Sequence, residues 1–227
     1  MPSHAGARTS PRSAHPPRAS LLPVLPASPT GAALTREKLL QAAHELLFER
    51  GGAEPSVSQI CRRAGVQVAM VSYCFGGKTQ LLEALVERAT MGVVAELQRF
   101  AAQKGLEPEE MLRRHVAAMV RNWVRFPYLM QLIERAHAGD PQVERITTIF
   151  VGPALEFYRG LLARGAKARK FRKVDPTLFF FSIVGSCQFL FTARSLLATS
   201  GEALNEDLVE RFIEHTAELL VRGISLK

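Results

Sequence analysis

The sequence has few cysteines, no long apolar run and an opening segment without acids, and each shortage excludes a class of protein. Cys61, Cys74 and Cys187 are odd in number and none pairs at CxxC spacing, so neither a disulfide framework nor a structural metal is expected. Apolar stretches such as Leu178 to Val184 are interrupted well short of the roughly 20 residues that cross a bilayer, which leaves no membrane span and no membrane partner to expect. The start, MPSHAGARTSPRS, is broken by proline and serine and lacks the continuous apolar stretch of a secretory signal. A reducing cytoplasm is the expected location. No stretch reads as a convincing strand, and no His and carboxylate spacing suits a metal, so no cofactor is implied.

What is present is enough apolar material, 47% of 227 residues, for one good core or two small ones. The net charge of +8 is uneven: residues 1–35 contribute +3 from Arg8, Arg12 and Arg18, residues 36–80 contribute +2, and the remainder +3. Seven of the thirteen prolines fall in the first 30 residues, a composition that cannot bury enough apolar surface to offset the entropy of ordering. Residues 1–33 are therefore expected to be a disordered, basic, proline-rich tail. It is either a positive arm near a DNA backbone or an extension without function.

From Thr35 the period becomes helical, with Leu39, Leu40, Ala43, Leu46, Leu47 and Phe48 forming one stripe that Gly51 and Gly52 end. Ser56 offers a hydroxyl cap to a second helix that closes at Gly65. A third runs from about Val68 to Tyr73 or Cys74, and a fourth opens near Lys78 or Thr79. Two short helices joined by a glycine turn predict a helix-turn-helix, whose second member can lie in a DNA major groove about 12 Å wide. Its outward face would carry Gln67, Ala69, Met70, Ser72 and Tyr73, groups that reach phosphates or base edges.

The residues Thr35-Arg36-Glu37-Lys38-Leu39-Leu40-Gln41-Ala42-Ala43 through Gly51, then Ser56 through Val66, then Tyr73-Cys74-Phe75-Gly76-Gly77-Lys78 with Leu81 and Leu82, resemble the TetR family of transcriptional regulators. The likeness covers about residues 35–88. It implies an all-α chain of about nine helices: a three-helix helix-turn-helix domain over 34–80, and a helical domain over 81–227 that binds a ligand and dimerises. The implied partners are a double-stranded DNA operator, a second copy of the chain in a homodimer and a small-molecule ligand whose identity the sequence does not give. The implied function is a sequence-specific regulator, a repressor that the ligand releases, with no enzymatic activity. Thr35, Arg36, Ser56, Ser58, Gln67, Ala69, Met70, Ser72, Tyr73 and Lys78 are the candidate DNA contacts. Gln67, Val68 and Cys74 depart from the family's pattern, which often has serine, a basic residue, and an aromatic or histidine there.

Further helices are expected from Pro108, Pro127, Asp140-Pro141, Asp175-Pro176 through Leu197, and Glu202 to Arg222, with Pro153 either kinking a helix or starting one. The Asp175 helix is apolar all round, so it needs cover on more than one side. Phe191, Leu208, Phe212, Ile213 and Leu219 are the candidate dimer surface. Met119, Trp123, Phe126, Tyr128, Phe157, Phe181 and Cys187 are the candidate ligand pocket, although a helical core uses the same side chains. A partner-binding protein with a degenerate head would share the helical domain. An all-α enzyme would need converging acid, base or nucleophile, and none is legible.

Overall fold

In a computed structural model, residues 31–103, 105–129, 131–132, 145 and 147–226 are described. The expected tail lies almost wholly outside them, as do Met130, Asp140 and Pro141. Among the described residues the fold is all-α, with nine α-helices and a single isolated bridge between Phe171 and Ser225.

Helix α1 spans Gly31–Glu49 and buries Leu39, Leu40, Ala42, Ala43, Leu46 and Leu47. It begins one turn earlier than the sequence suggested, because Ala32, Ala33 and Leu34 favour helix and Thr35 bonds back to the Gly31 carbonyl at 2.9 Å. Helix α2, Val57–Ala64, opens on a capping box: the Ser56 hydroxyl accepts from the Gln59 N–H, and the Gln59 side chain returns to the Ser56 N–H. Gly65 closes it in the left-handed conformation, φ 67°, that glycine adopts without strain. Helix α3 is Ala69–Phe75, and its buried anchor is Val71. Both helices pack on α1.

Helix α4, Lys78–Ala102, begins against α1 and α3 and continues into the body. Leu81, Leu82, Leu85, Val86, Ala89, Val93 and Leu97 form its buried stripe, so one apolar core runs unbroken from the head into the body. The body holds α5 (Pro108–Arg125), α6 (Gly152–Lys167), α7 (Pro176–Thr192), α8 (Arg194–Thr199) and α9 (Glu206–Ile224). Helix α5 packs along α9, and α7 lies against α5 and α6.

Pro153 takes the second of its two expected roles: a π-turn over Thr147–Val151 leads into α6, whose first turn holds the proline. Two boundaries differ from the sequence reading. The apolar helix expected through Leu197 stops at Thr192, whose hydroxyl turns back toward the Gln188 and Phe189 carbonyls, and α8 follows after Ala193. Helix α9 starts at Glu206, not Glu202, because Asn205 caps the Leu208 N–H at 2.8 Å while Glu202 pairs with Arg211.

Candidate functional site

The head presents α3 to solvent. Gln67, Val68, Ala69, Ser72 and Tyr73 are exposed, with 75% of Tyr73 accessible; Met70 is half-buried. No side chain caps α3, which follows from glutamine and valine standing where a hydroxyl would serve; the Gln67 carbonyl instead accepts from Met70 N–H at 3.0 Å. Ser58, on the first turn of α2, is also exposed.

Four other expected contacts already have structural partners. The Thr35 hydroxyl bonds Gly31, and Ser56 caps α2. Arg36 donates to the Cys74 carbonyl at 2.8 Å, and its guanidinium lies 4.1 Å above the Phe75 ring, so it secures the end of α3. Lys78 was expected as a cation free for phosphate, but its ammonium pairs with Glu54 at 2.7 Å, which neutralises a charge that the α4 N-terminus disfavours. The sequence reading missed Arg62. It is an exposed cation in the last turn of α2 with no ion pair among the described residues, whereas neighbouring Arg63 is held by Glu45 and Glu49. A basic residue in that turn was the available signal.

A second contact joins head and body away from α4. His44 of α1 meets the Tyr128 hydroxyl through Nδ1 at 2.5 Å, with Phe126 edge-on to the imidazole. Burial, then the nearby Arg125 charge, lowers the His44 pKa to about 4 against a weaker opposing pull from Glu45, and burial raises that of Tyr128. The pair is neutral at pH 7. Gln131 reaches the Gly51 carbonyl, and Gly52 admits it closely: a Cβ there would sit 1.9 Å from the amide oxygen. Arg88 of α4 pairs with Glu37 of α1 on another side.

The expected ligand pocket does not form as a single cavity. Phe126 and Tyr128 close onto α1; Met119, Trp123 and Cys187 are packed in the interior; Phe181 points outward at 62% exposure. Phe157 lines a groove of about 320 Å³ between α4, α5 and α6. Deeper in the body, His115 meets the Tyr158 hydroxyl at 2.5 Å; burial lowers the His115 pKa to about 3 and raises that of Cys187 to about 12.

The candidate dimer residues differ in exposure. Phe191 and Ile213 are buried in their own protomer, while Leu208 and Phe212 are half-buried and Leu219 is exposed. Leu178, Phe181, Gly185 and Phe189 instead make an exposed stripe along α7, extended by Leu196 of α8. Helical geometry explains the exchange: Phe191 lies about 140° around α7 from Leu178, so its ring faces the core.

The chain matches the tetracyclin repressor-like C-terminal domain profile over residues 105–226 and the profile of bacterial regulatory proteins of the tetR family over residues 39–85. The HTH-type transcriptional regulator BetI 1 of Chromohalobacter salexigens is 30% identical over 87 residues, 38% of this chain and 41% of that protein. BetI of Stenotrophomonas maltophilia is 31% identical over 78 residues, 34% of this chain and 40% of its own length. The chain thus spans about two fifths of these curated relatives. Among solved structures, the TetR family regulator PfmR from Thermus thermophilus superposes with TM-score 0.65 at 21% identity, covering 81% of this chain and 97% of that one. FadR from Bacillus subtilis, solved with stearoyl-CoA, gives TM-score 0.65 at 21% identity over 82% of this chain and 98% of its own. With a C-terminal profile that covers more than half of the chain and an N-terminal profile over the helix-turn-helix, the chain belongs to the TetR family of bacterial regulatory proteins.

Proposed function

We propose that two copies of this chain read a two-fold operator in double-stranded DNA and that a small molecule entering the helical domain releases them. The DNA-binding unit comprises residues 34–80, and the ligand-binding and dimerising unit residues 81–227, with α4 passing between them. The observation that carries this reading is the exposed face of α3, where Gln67, Ala69, Ser72 and Tyr73 stand beside Ser58 and Arg62 of α2. Such a set suits phosphate and base-edge contact, and hydroxyls and amides of this kind are the usual donors for it.

The apolar stripe of α7 supports pairing of two protomers, since isolated exposed phenylalanines are ordinary but a continuous row is not. Pairing would set the two α3 helices about one DNA turn apart, 34 to 36 Å. Ligand entry near α4 would alter that separation. Regulation of this kind requires differential binding and no catalytic group, and it belongs in the cytoplasm where the DNA is. Repression is the reading adopted, in line with the tetracyclin repressor-like profile. Fluorescence anisotropy with selected duplexes tests it: binding should weaken steeply with salt and involve two chains per site. Salt-insensitive or absent duplex binding would favour a partner-binding protein with an inactive head.

A further inference from the structure

We infer that the groove along α6 binds an amphiphile with one unbranched aliphatic chain and a single anionic head. The inference rests on the helical domain being an effector-binding unit and specifies the chemistry of the effector. The groove holds about 320 Å³. Its walls are mostly apolar, from Leu97 and Ala101 of α4, Met111 of α5 and Phe157 and Leu161 of α6, with Gln98 and Glu156 also on the lining. From Pro153 to Arg164 the wall follows α6 for about 16 Å, a shape that suits a chain rather than a compact ring system.

Gly160 marks the place where the groove can be filled. It lies in the interior of α6, exposed to the groove, and a Cβ added there would meet nothing within 4 Å. Neither a turn nor a close neighbour calls for glycine, which destabilises a helix interior relative to alanine. Gly165, one turn on, differs, since a Cβ there would lie 2.0 Å from the Phe171 ring. Gly92, Gly152, Gly185 and Gly223 are equally open, so Gly160 is set apart only by lining the groove, where a larger side chain would enter it.

Arg164 closes one end of the groove. Its Nη2 donates to the Leu106 carbonyl at 3.0 Å and its Nη1 approaches the Met111 sulfur at 3.8 Å, and no ion pair of Arg164 occurs among the described residues. The guanidinium fork therefore has donors left for an anion. Glu156, on the same wall, stands two turns away and pairs with Arg159. Beyond Arg164, Lys167 and Arg169 add positive charge at this end, while Lys170 pairs with Glu109 at 3.9 Å. The larger hollow of about 420 Å³, between head and body, offers no comparable vacancy, since Arg145 is paired with Glu87 and Arg36 is bonded to Cys74.

Calorimetry of the full chain with decanoate, without DNA, tests the inference. Decanoate should bind saturably, with decan-1-ol and decyltrimethylammonium at least about tenfold weaker. Decyl phosphate distinguishes the head: tighter binding than decanoate assigns a phosphate, weaker binding a carboxylate. Gly160→Leu should fill the groove, leave thermal stability no lower and weaken decanoate binding by about 100-fold or more. Arg164→Gln should weaken decanoate by about tenfold and leave decan-1-ol unchanged. No saturable binding up to about 1 mM, equal affinity for the alcohol, or unimpaired binding by folded Gly160→Leu would overturn the site. Since DNA is absent, these outcomes are separate from operator binding: normal duplex binding without decanoate binding would defeat the groove alone.

Discussion

Helices α3 and α7 are both exposed on one side, and their exposed sides differ in kind. Helix α3 offers Ser72, the Tyr73 phenol, Ala69 and the preceding Gln67, whereas α7 offers Leu178, Phe181 and Phe189 around Gly185. The first surface can satisfy a hydrated, charged duplex; the second leaves apolar area that only another apolar surface covers well. In the proposed function, α3 meets the duplex and α7 a second copy of the chain.

The sharpest way to break this comparison is to charge the α7 face. Leu178→Asp with Phe189→Asp should turn the dimer into a monomer by sedimentation, with little change in melting temperature, and weaken operator binding by about 100-fold or more as the second half-site is lost. Phe191→Asp should behave differently, lowering the melting temperature because it buries a charge in the protomer. Similar effects from both substitutions would show that the two sides of α7 are not distinct.

The next largest effect concerns pH. His44 and His115 titrate at about 4 and about 3 in the folded chain, below the unfolded value of 6.5. Between those limits the unfolded chain binds more protons, so stability present above pH 6.5 is lost as pH falls. From pH 7 to pH 5 each histidine should cost about 2 kcal/mol by denaturant titration. Replacing both with asparagine should flatten this slope; an unchanged slope would place its origin elsewhere.

The two His–Tyr pairs also separate head from body. Tyr128→Phe and Tyr158→Phe each remove one buried hydroxyl and should cost about 1–3 kcal/mol of stability. Only Tyr128→Phe should alter duplex affinity, since only that pair reaches α1. Equal effects on DNA binding would remove the clasp from the account. Smaller still, Arg62→Ala should lower the slope of log affinity against log salt by about one, and Lys78→Ala by less, because Glu54 already holds that ammonium.

The sequence was most informative where structure is local. Ser56, Gln59 and Gly65 bound α2 through contacts within a few residues, so the helix-turn-helix was legible from spacing. Sequence period also showed that α7 is apolar all round, but not which side meets its own core. That choice depends on where α5 and α6 approach, and it moved Phe191 inward and Phe181 outward. The Tyr128 contact was hidden for the same reason: its partner His44 is 84 residues away. The groove was hidden because its walls come from three helices.

Selection of bound duplexes from a random pool by the purified full chain, followed by the stoichiometry of the selected site, tests the central claim most directly. The account predicts an inverted repeat with half-site centres about one helical turn apart, occupied by two chains and lost as salt rises. Failure to enrich any sequence, or a single asymmetric site filled by one chain, would contradict it.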